Sequence, residues 1–578
     1  MRTGGLPLPA LIDAGWTIPP SLIFLAAAIL TVLFARSRGL QRAVLIGAPI
    51  AGLVNLVSLE PGSAWTWSVL ELELVQLRVD RLSLLFGLLF HIGAALGIVY
   101  ALRVRDTMQH AAALVYAGCA LGAVFAGDLI TLFLYWEGMA LSSALLVWAG
   151  RKPGSSGAGL RYLVMHLGSG LLLLAGVLMH YRATGSLAFD FIGTNAGAGW
   201  LMLAAFGIKC GFPFVHTWIT DAYPRSTPSG TVFLSMFTTK VAVYALARGF
   251  PGTELLVPIG TAMALFPIFY AVIENDLRRV LGYSMINQIG FMVVGIGIGT
   301  ELALAGAVAH AFNEVIFKGL LFMTMGAVLL RAGHALGSDL GGLYRSMPVT
   351  TACCIVGAAS ISAFPLASGF VSKSLIMTAM LEAGHGWLWL GLLFASAGVF
   401  HHAGIKIPYF AFFSHDSGLR TREAPPCMLA AMIAAAFGCL LIGMRPDLLY
   451  ALLPWPVEYA PYTYAHVVAQ LQLLFFSALA FAWLKLSGVY PTELRSVNLD
   501  ADWLYRRHGP ALARGVLGAT LRGAAAYDAA LARVRAGARR TVAESFGTAL
   551  RLASTGQAAL LVGALLCGYV LLYLYASA

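Results

Sequence analysis

Long apolar runs constrain this chain more than any other feature. Stretches of about 17–25 residues, each the length that crosses hydrocarbon as a helix, recur from residue 20 almost to the end. Sixteen are readable: near 20–35, 41–58, 81–102, 111–127, 129–149, 159–181, 199–219, 228–248, 255–273, 280–298, 302–330, 349–381, 387–413, 427–444, 466–487 and 555–576. Inside a bilayer every backbone amide must find its partner within the protein, which leaves helices or closed barrels. The alternation of a barrel strand is absent, so the expected fold is all-α and polytopic, with about 16 transmembrane helices. Of the 578 residues, 59% are hydrophobic and 11% charged, with mean hydropathy +0.81. A water-soluble chain could not bury that much apolar surface.

The net charge of +11 raises the question of nucleic acid, and its distribution answers it. With the N-terminus outside, fifteen basic residues fall in inner loops: Arg36, Arg38, Arg42, Arg103, Arg105, Arg151, Lys152, Arg161, Arg225, Arg278, Arg279, Arg331, Arg345, Arg420 and Arg422. Six fall outside: Arg2, Arg78, Arg81, Arg182, Arg248 and Arg445. This is the positive-inside bias, and the expected partner is the bilayer, not nucleic acid. The first run lacks a small-residue cleavage site and reads as a retained helix. The seven cysteines lie in apolar runs without a CxxC pair, so neither a disulfide framework nor a metal or iron–sulfur site is expected.

Residues 491–553 are too polar to span. Within them Leu531, Val534, Ala538, Val542, Phe546 and Leu550 recur at helical spacing, with Arg533, Arg535, Arg539 and Arg540 between them. That pattern predicts an amphipathic basic helix along the inner membrane surface or along neighbouring spans. Gly515, Gly518 and Gly523 offer points for an early break. The expected organisation is three N-terminal spans in 1–110, repeats in 111–250 and 255–413, two spans in 427–490, the amphipathic lateral helix in 491–553 and a last span in 555–578.

Charges inside the apolar runs carry the functional signal. Glu137 lies in the fifth run, Lys209 in the seventh and Lys240 in the eighth. His310, Glu314 and Lys318 share one helix face of the eleventh, and Lys373 lies in the twelfth. A charge at mid-bilayer costs about 2.5–3.5 kcal/mol even on lenient scales, so such groups pair, face water or carry protons. Lys406, nearer a span end, reads as a snorkelling anchor, and His401 and His402 as core histidines. Burial makes an ammonium easier to deprotonate and a nearby carboxylate opposes this. A Glu137–Lys209 pair that opens and closes therefore holds or releases a proton.

Two runs are interrupted. Pro213 follows Lys209 in GWLMLAAFGIKCGFPFVHTWI, and Pro365 and Gly369 precede Lys373 in ISAFPLASGFVSKSLIM. Broken helices at membrane depth are tolerated only against protein or a watery cavity. Two such breaks, five spans apart, predict two related halves of the inverted-repeat kind.

The stretches DLITLFLYWEG, KCGFPFVHTWITDAYPRSTPSGTVFLSMFTTKVAVYALAR, ENDLRRVLGYSMINQIGFMVVGIG, HAFNEVIFKGLLFM and GFVSK resemble the proton-channel subunits of respiratory complex I and of Mrp-type cation:proton antiporters, most closely the long D-type antiporter subunits. The resemblance covers about residues 110–415. It implies two inverted five-helix repeats with broken helices 7 and 12. It also implies a proton route through the Glu137–Lys209 pair, Lys240, Lys318 and Lys373, and His310 matches a family position. Asp221 matches an acidic position of the family, where a loop role is equally consistent. The chain differs in having Glu314 where the family often has a second histidine, and Thr220 where it often has proline.

The expected function is that of a proton-translocating subunit of a multisubunit monovalent cation (Na+ or K+):proton antiporter in the bacterial inner membrane. Its expected partners are other membrane subunits. The alternative is a membrane-arm subunit of a complex I-like NADH–quinone oxidoreductase or a membrane-bound hydrogenase. No cofactor is expected in this chain: VGIGIG at 294–299 lies inside a span and is not a dinucleotide loop.

Overall fold

The computed structural model describes residues 18–549 apart from positions 63, 70, 71, 492 and 497, together with 562, 565 and 566. Twelve helices among the described residues are long and apolar enough to cross a membrane. The runs near 20–35, 199–219 and 349–381 fall instead on shorter apolar helices, Pro20–Leu33, Gly197–Cys210 and Pro348–Ile361. The expected last span, 555–576, lies outside the described residues. The chain is a multi-pass helical membrane protein, and large side chains such as Leu171, Phe269, Phe437 and Phe476 project outward where lipid would meet them.

Local chemistry sets the helix ends. Asp80 and Ser83 form a reciprocal capping box ahead of Arg81–Ala101, while Asp106, Asp128 and Asp276 cap later helices. A departure from the all-α expectation comes between the second and third spans. Ala64–Val69 pairs antiparallel with Leu72–Arg78 in a two-stranded sheet. Leu74 and Leu77 of this hairpin are buried, and its backbone docks on the fifth span: Val75 N donates to Asp128 Oδ2 at 2.6 Å and Gly127 N to Val75 O at 2.9 Å.

The two halves repeat a backbone contact in the same register. Leu129 N donates to Leu187 O and Phe189 N to Gly127 O; Leu277 N donates to Ala335 O and Gly337 N to Asn275 O. A shift of 148 residues takes Leu129 to Leu277, Leu187 to Ala335, Phe189 to Gly337 and Gly127 to Asn275. Five crossings separate equivalent points. Five is odd, so the second repeat enters from the opposite side, and the repeats are inverted.

The breaks match as well. Gly197–Cys210 ends at Gly211 (φ 80°), the chain passes Pro213 with Phe214 at φ 71°, and the helix resumes at Thr217–Ala222. Pro348–Ile361 ends before Ala363 (φ 57°), the chain passes Pro365 with Leu366 at φ 71°, and resumes at Ser368–Glu382. A non-glycine residue held left-handed costs about 1–2 kcal/mol, so the same turn after each proline is retained against strain.

The described chain divides into two compact units between Asp500 and Ala501. In the second unit Asp502–Ala549 forms one helix of 48 residues, about 72 Å long at 1.5 Å per residue. It runs unbroken through Gly515, Gly518 and Gly523. The side chains of Ala538, Arg539, Val542 and Phe546, and all of Leu550, lie outside the described structure.

Candidate proton pathway

The seven sequence-selected residues lie in the interior of the first unit. Lys209, Lys240, His310, Glu314 and Lys318 have no exposed surface, Lys373 is 3% exposed, and Glu137 is half-buried.

Glu137 and Lys209 do not form an ion pair in this structure. The Lys209 ammonium, in the last turn before the Gly211 break, donates to Trp136 O at 2.7 Å and lies 4.2 Å from the Trp136 ring centre. The Glu137 carboxyl packs instead against Gly170, so closely that a Cβ on residue 170 would overlap Glu137 Oε1. That oxygen has no hydrogen-bond partner. The expected pair is thus one residue out of register and open, with an indole holding the cation.

Beyond Lys209 the line continues through groups the sequence reading did not select. His166 is fully buried against Tyr162 and Trp218, with neither ring nitrogen hydrogen-bonded. Tyr162 Oη donates to Ser143 Oγ at 2.8 Å, and Tyr116 Oη shares a hydrogen bond of 2.6 Å with Thr238 Oγ1. Thr239 Oγ1 then accepts from Lys240 Nζ at 3.2 Å. A histidine inside a membrane run was the one available signal for this section.

The eighth span breaks at Phe237, between Pro228–Met236 and Thr238–Gly249. Lys240 Nζ donates to Ser235 O, a carbonyl beside that break, at 3.0 Å, and forms an ion pair with Glu314. Glu314 stands on Glu301–Ala332 with Lys318 and His310 one turn to either side. Lys318 donates to Ser284 Oγ at 2.9 Å. His310 meets Ser372 Oγ at 2.9 Å and Gln288 Oε1 at 3.2 Å, which brings it to the residue before Lys373. Lys373 Nζ donates to Ile361 O at 3.0 Å, where the first half of the twelfth helix ends, so the cation sits at the negative end of that half-helix. A cavity of about 30 Å³, room for water, adjoins Lys373 and is lined by His466 and Gln470.

Lys406 overturns its reading as an anchor. A snorkelling ammonium reaches headgroups or water, whereas Lys406 is wholly buried. It donates to Ala271 O (3.1 Å), Val272 O (2.6 Å) and Glu274 O (2.7 Å), and lies 2.9 Å from Glu493 Oε1. His402 is buried, as a core histidine would be, with no side-chain partner for its ring; His401 is half-buried against Phe481 and Tyr490. Asp221, in the short helix Thr217–Ala222, is paired with Arg161 at 2.8 Å and with Arg225. Among the described residues no three His, Cys, Asp or Glu side chains come together as metal ligands.

An inverted pair of five-span repeats thus encloses a buried line of ionisable side chains. Residues 126–399 match the family described as NADH:quinone oxidoreductase/Mrp antiporter, TM. The chain is 28% identical over 424 residues to the A-type subunit of the Na(+)/H(+) antiporter of Alkalihalophilus pseudofirmus, covering 64% of this chain and 52% of that one. It is 29% identical over 360 residues to NADH-quinone oxidoreductase subunit N of Desulforudis audaxviator, covering 56% and 71%. The fold is similar to a chain of the membrane-bound sulfane sulfur reductase, an archaeal respiratory membrane complex, with TM-score 0.69, 23% identity and coverage of 96% and 99%. The chain spans about half the length of most of the curated relatives it matches. The segment 126–399 is thus similar to the membrane subunits of complex I and of Mrp-type antiporters.

Proposed function

We propose that this chain moves protons across a bacterial inner membrane as one subunit of a multisubunit monovalent cation:proton antiporter, together with other membrane subunits. The observation that carries the reading is the buried Lys240–Glu314 ion pair, flanked by Lys209 and His166 on one side and by Lys318, His310 and Lys373 on the other. So many ionisable groups in hydrocarbon are costly unless they exchange protons. Each except His166 has a hydroxyl, carbonyl or oppositely charged neighbour that can hold its proton-bearing form. The names of relatives, Na(+)/H(+) and K(+)/H(+) antiporter subunits among them, support the cation class.

The test is proton movement driven by added Na+ or K+ in everted vesicles carrying the chain and its co-encoded subunits, with no electron donor present. Glu137→Gln or Lys209→Met is expected to abolish that movement while the complex still assembles. Full transport in either variant would reject the pathway. The likeness to NADH-quinone oxidoreductase subunit N, 71% of which is covered, favours a redox-driven pump as the second reading. Proton movement that requires an electron donor and ignores Na+ and K+ would select it.

A further inference from the structure

The segment after the span Tyr464–Leu486 crosses the inner ends of both repeats before reaching Asp500. Glu493 meets Lys406, Arg495 pairs with Asp339, Asn498 Nδ2 lies 3.4 Å from Glu274 Oε2, and Asp500 meets His216 at 3.2 Å and Tyr283 at 2.7 Å. Leu494, Arg495 and Ser496 are exposed, whereas the Glu493 side chain is only 4% exposed. A carboxylate is therefore turned inward beneath one layer of chain, with exposed residues directly above it.

The partner it turns toward sits in unusual backbone. The span holding Lys406 is wound in π-helical turns at Phe400–Ile405 and Tyr409–Phe413, with Lys406–Pro408 between them. Such turns widen a helix and recur at functional sites. They place His402 one turn before Lys406. His402 is fully buried, and no side chain hydrogen-bonds to its ring. From the inner surface the order is Glu493, Lys406 and, one turn deeper, His402.

We propose that Glu493 and Lys406 form a proton port from the inner aqueous side toward the central line, with His402, one turn deeper, as the next proton-bearing group. The proposal rests on the proton-translocation reading above. In each transfer the Lys406 ammonium gives one proton to a ring nitrogen of neutral His402; the Glu493 carboxylate then takes a proton from inner-face water and passes it to the neutral amine. One proton enters for each that moves on, and the pair regains its charges. The three carbonyls around Lys406 hold the ammonium form and set its position between the two neighbours. A purely structural pin would need the charge and the contacts but not a removable proton.

Lys406→Arg separates the two roles. Arginine keeps the positive charge and can reach both the carbonyls and Glu493, but it does not give up its proton in proteins. In vesicles carrying the assembled complex, Lys406→Arg and His402→Phe are each expected to slow cation-driven proton movement roughly tenfold or more, the scale of a lost proton-transfer group. Glu493→Asp is expected to retain more of the rate than Glu493→Gln. Wild-type rates in either Lys406→Arg or His402→Phe, with normal assembly, would overturn the port. If Lys406→Arg fails to assemble, His402→Phe decides alone, because it removes no contact that holds the fold. Absence of proton movement in the wild-type complex would count against the parent reading, and Glu137→Gln in the same vesicles supplies the reference for a blocked pathway.

Discussion

Lys240 and Glu314 meet as an ion pair with no exposed surface on either side chain, one from each inverted repeat. The charges most expensive to bury are thus neutralised at the seam between the halves. Removing one partner leaves the other uncompensated, at a cost of about 3–5 kcal/mol, whereas replacing both by apolar groups of similar volume is often close to neutral. Glu314→Leu alone should therefore lower the amount of assembled complex sharply. The double variant Lys240→Met/Glu314→Leu should restore assembly without restoring proton movement. Native-gel yield and vesicle transport, measured together, check both halves of this expectation.

Gly170 leaves room for the Glu137 carboxyl. Alanine there would place a Cβ on top of Glu137 Oε1, so the carboxylate must leave its present site. The substitution favours the Ser155–Thr184 helix intrinsically, by about 1 kcal/mol. Gly170→Ala should accordingly assemble normally and lose most proton movement, as Glu137→Gln does. Normal transport would mean that the position of the carboxylate against residue 170 is irrelevant.

Arg278 is fully buried and gathers the loop that follows the broken seventh helix. Its guanidinium donates to Pro224 O at 2.9 Å, Tyr223 O at 3.0 Å and Ser226 O at 3.1 Å, and also to Thr231. A buried acceptor left unpaired costs about 1–3 kcal/mol. Arg278→Met should thus lower thermal stability of the detergent-solubilised protein by roughly 3 kcal/mol or more, and Arg278→Lys by less. The check is the unfolding midpoint of the three proteins at one pH and detergent concentration.

The sequence revealed what hydrocarbon penalises most. Span-length runs, the prolines at 213 and 365, and the intramembrane charges from Glu137 to Lys373 were legible because each is costly unless the fold accommodates it. Contacts made across long stretches of chain were not legible. Lys406 was misread because its partner, Glu493, lies in a polar segment with no periodicity to place it. Trp136 holding Lys209 in place of Glu137 depends on a side-chain direction that helical spacing alone does not set. The hairpin at 64–78 escaped because six- and seven-residue strands are too short for their alternation to stand out beside flanking spans. His166 was passed over as part of an apolar run, although an imidazole at that depth carries the same cost argument as the lysines.

The repeated backbone contact supplies an internal control. Asp128 and Asp276 occupy the same cap position in the two repeats, but their duties differ. Asp276 accepts from Arg278 N at 2.9 Å. Asp128 accepts from Thr131 N at 2.7 Å and Thr131 Oγ1 at 2.6 Å, and in addition from Val75 N of the hairpin. Loss of a helix cap costs typically about 1 kcal/mol, within a range of about 0.5–2. Asp276→Ala should fall within that range. Asp128→Ala should exceed it, because the hairpin amide loses its acceptor as well. Deleting the hairpin contact by Val75→Pro, which removes the amide proton, should lessen the further effect of Asp128→Ala. Thermal unfolding of the two single variants and of the double variant measures the coupling, and equal losses at Asp128 and Asp276 would show that the hairpin gains nothing from its dock on the fifth span.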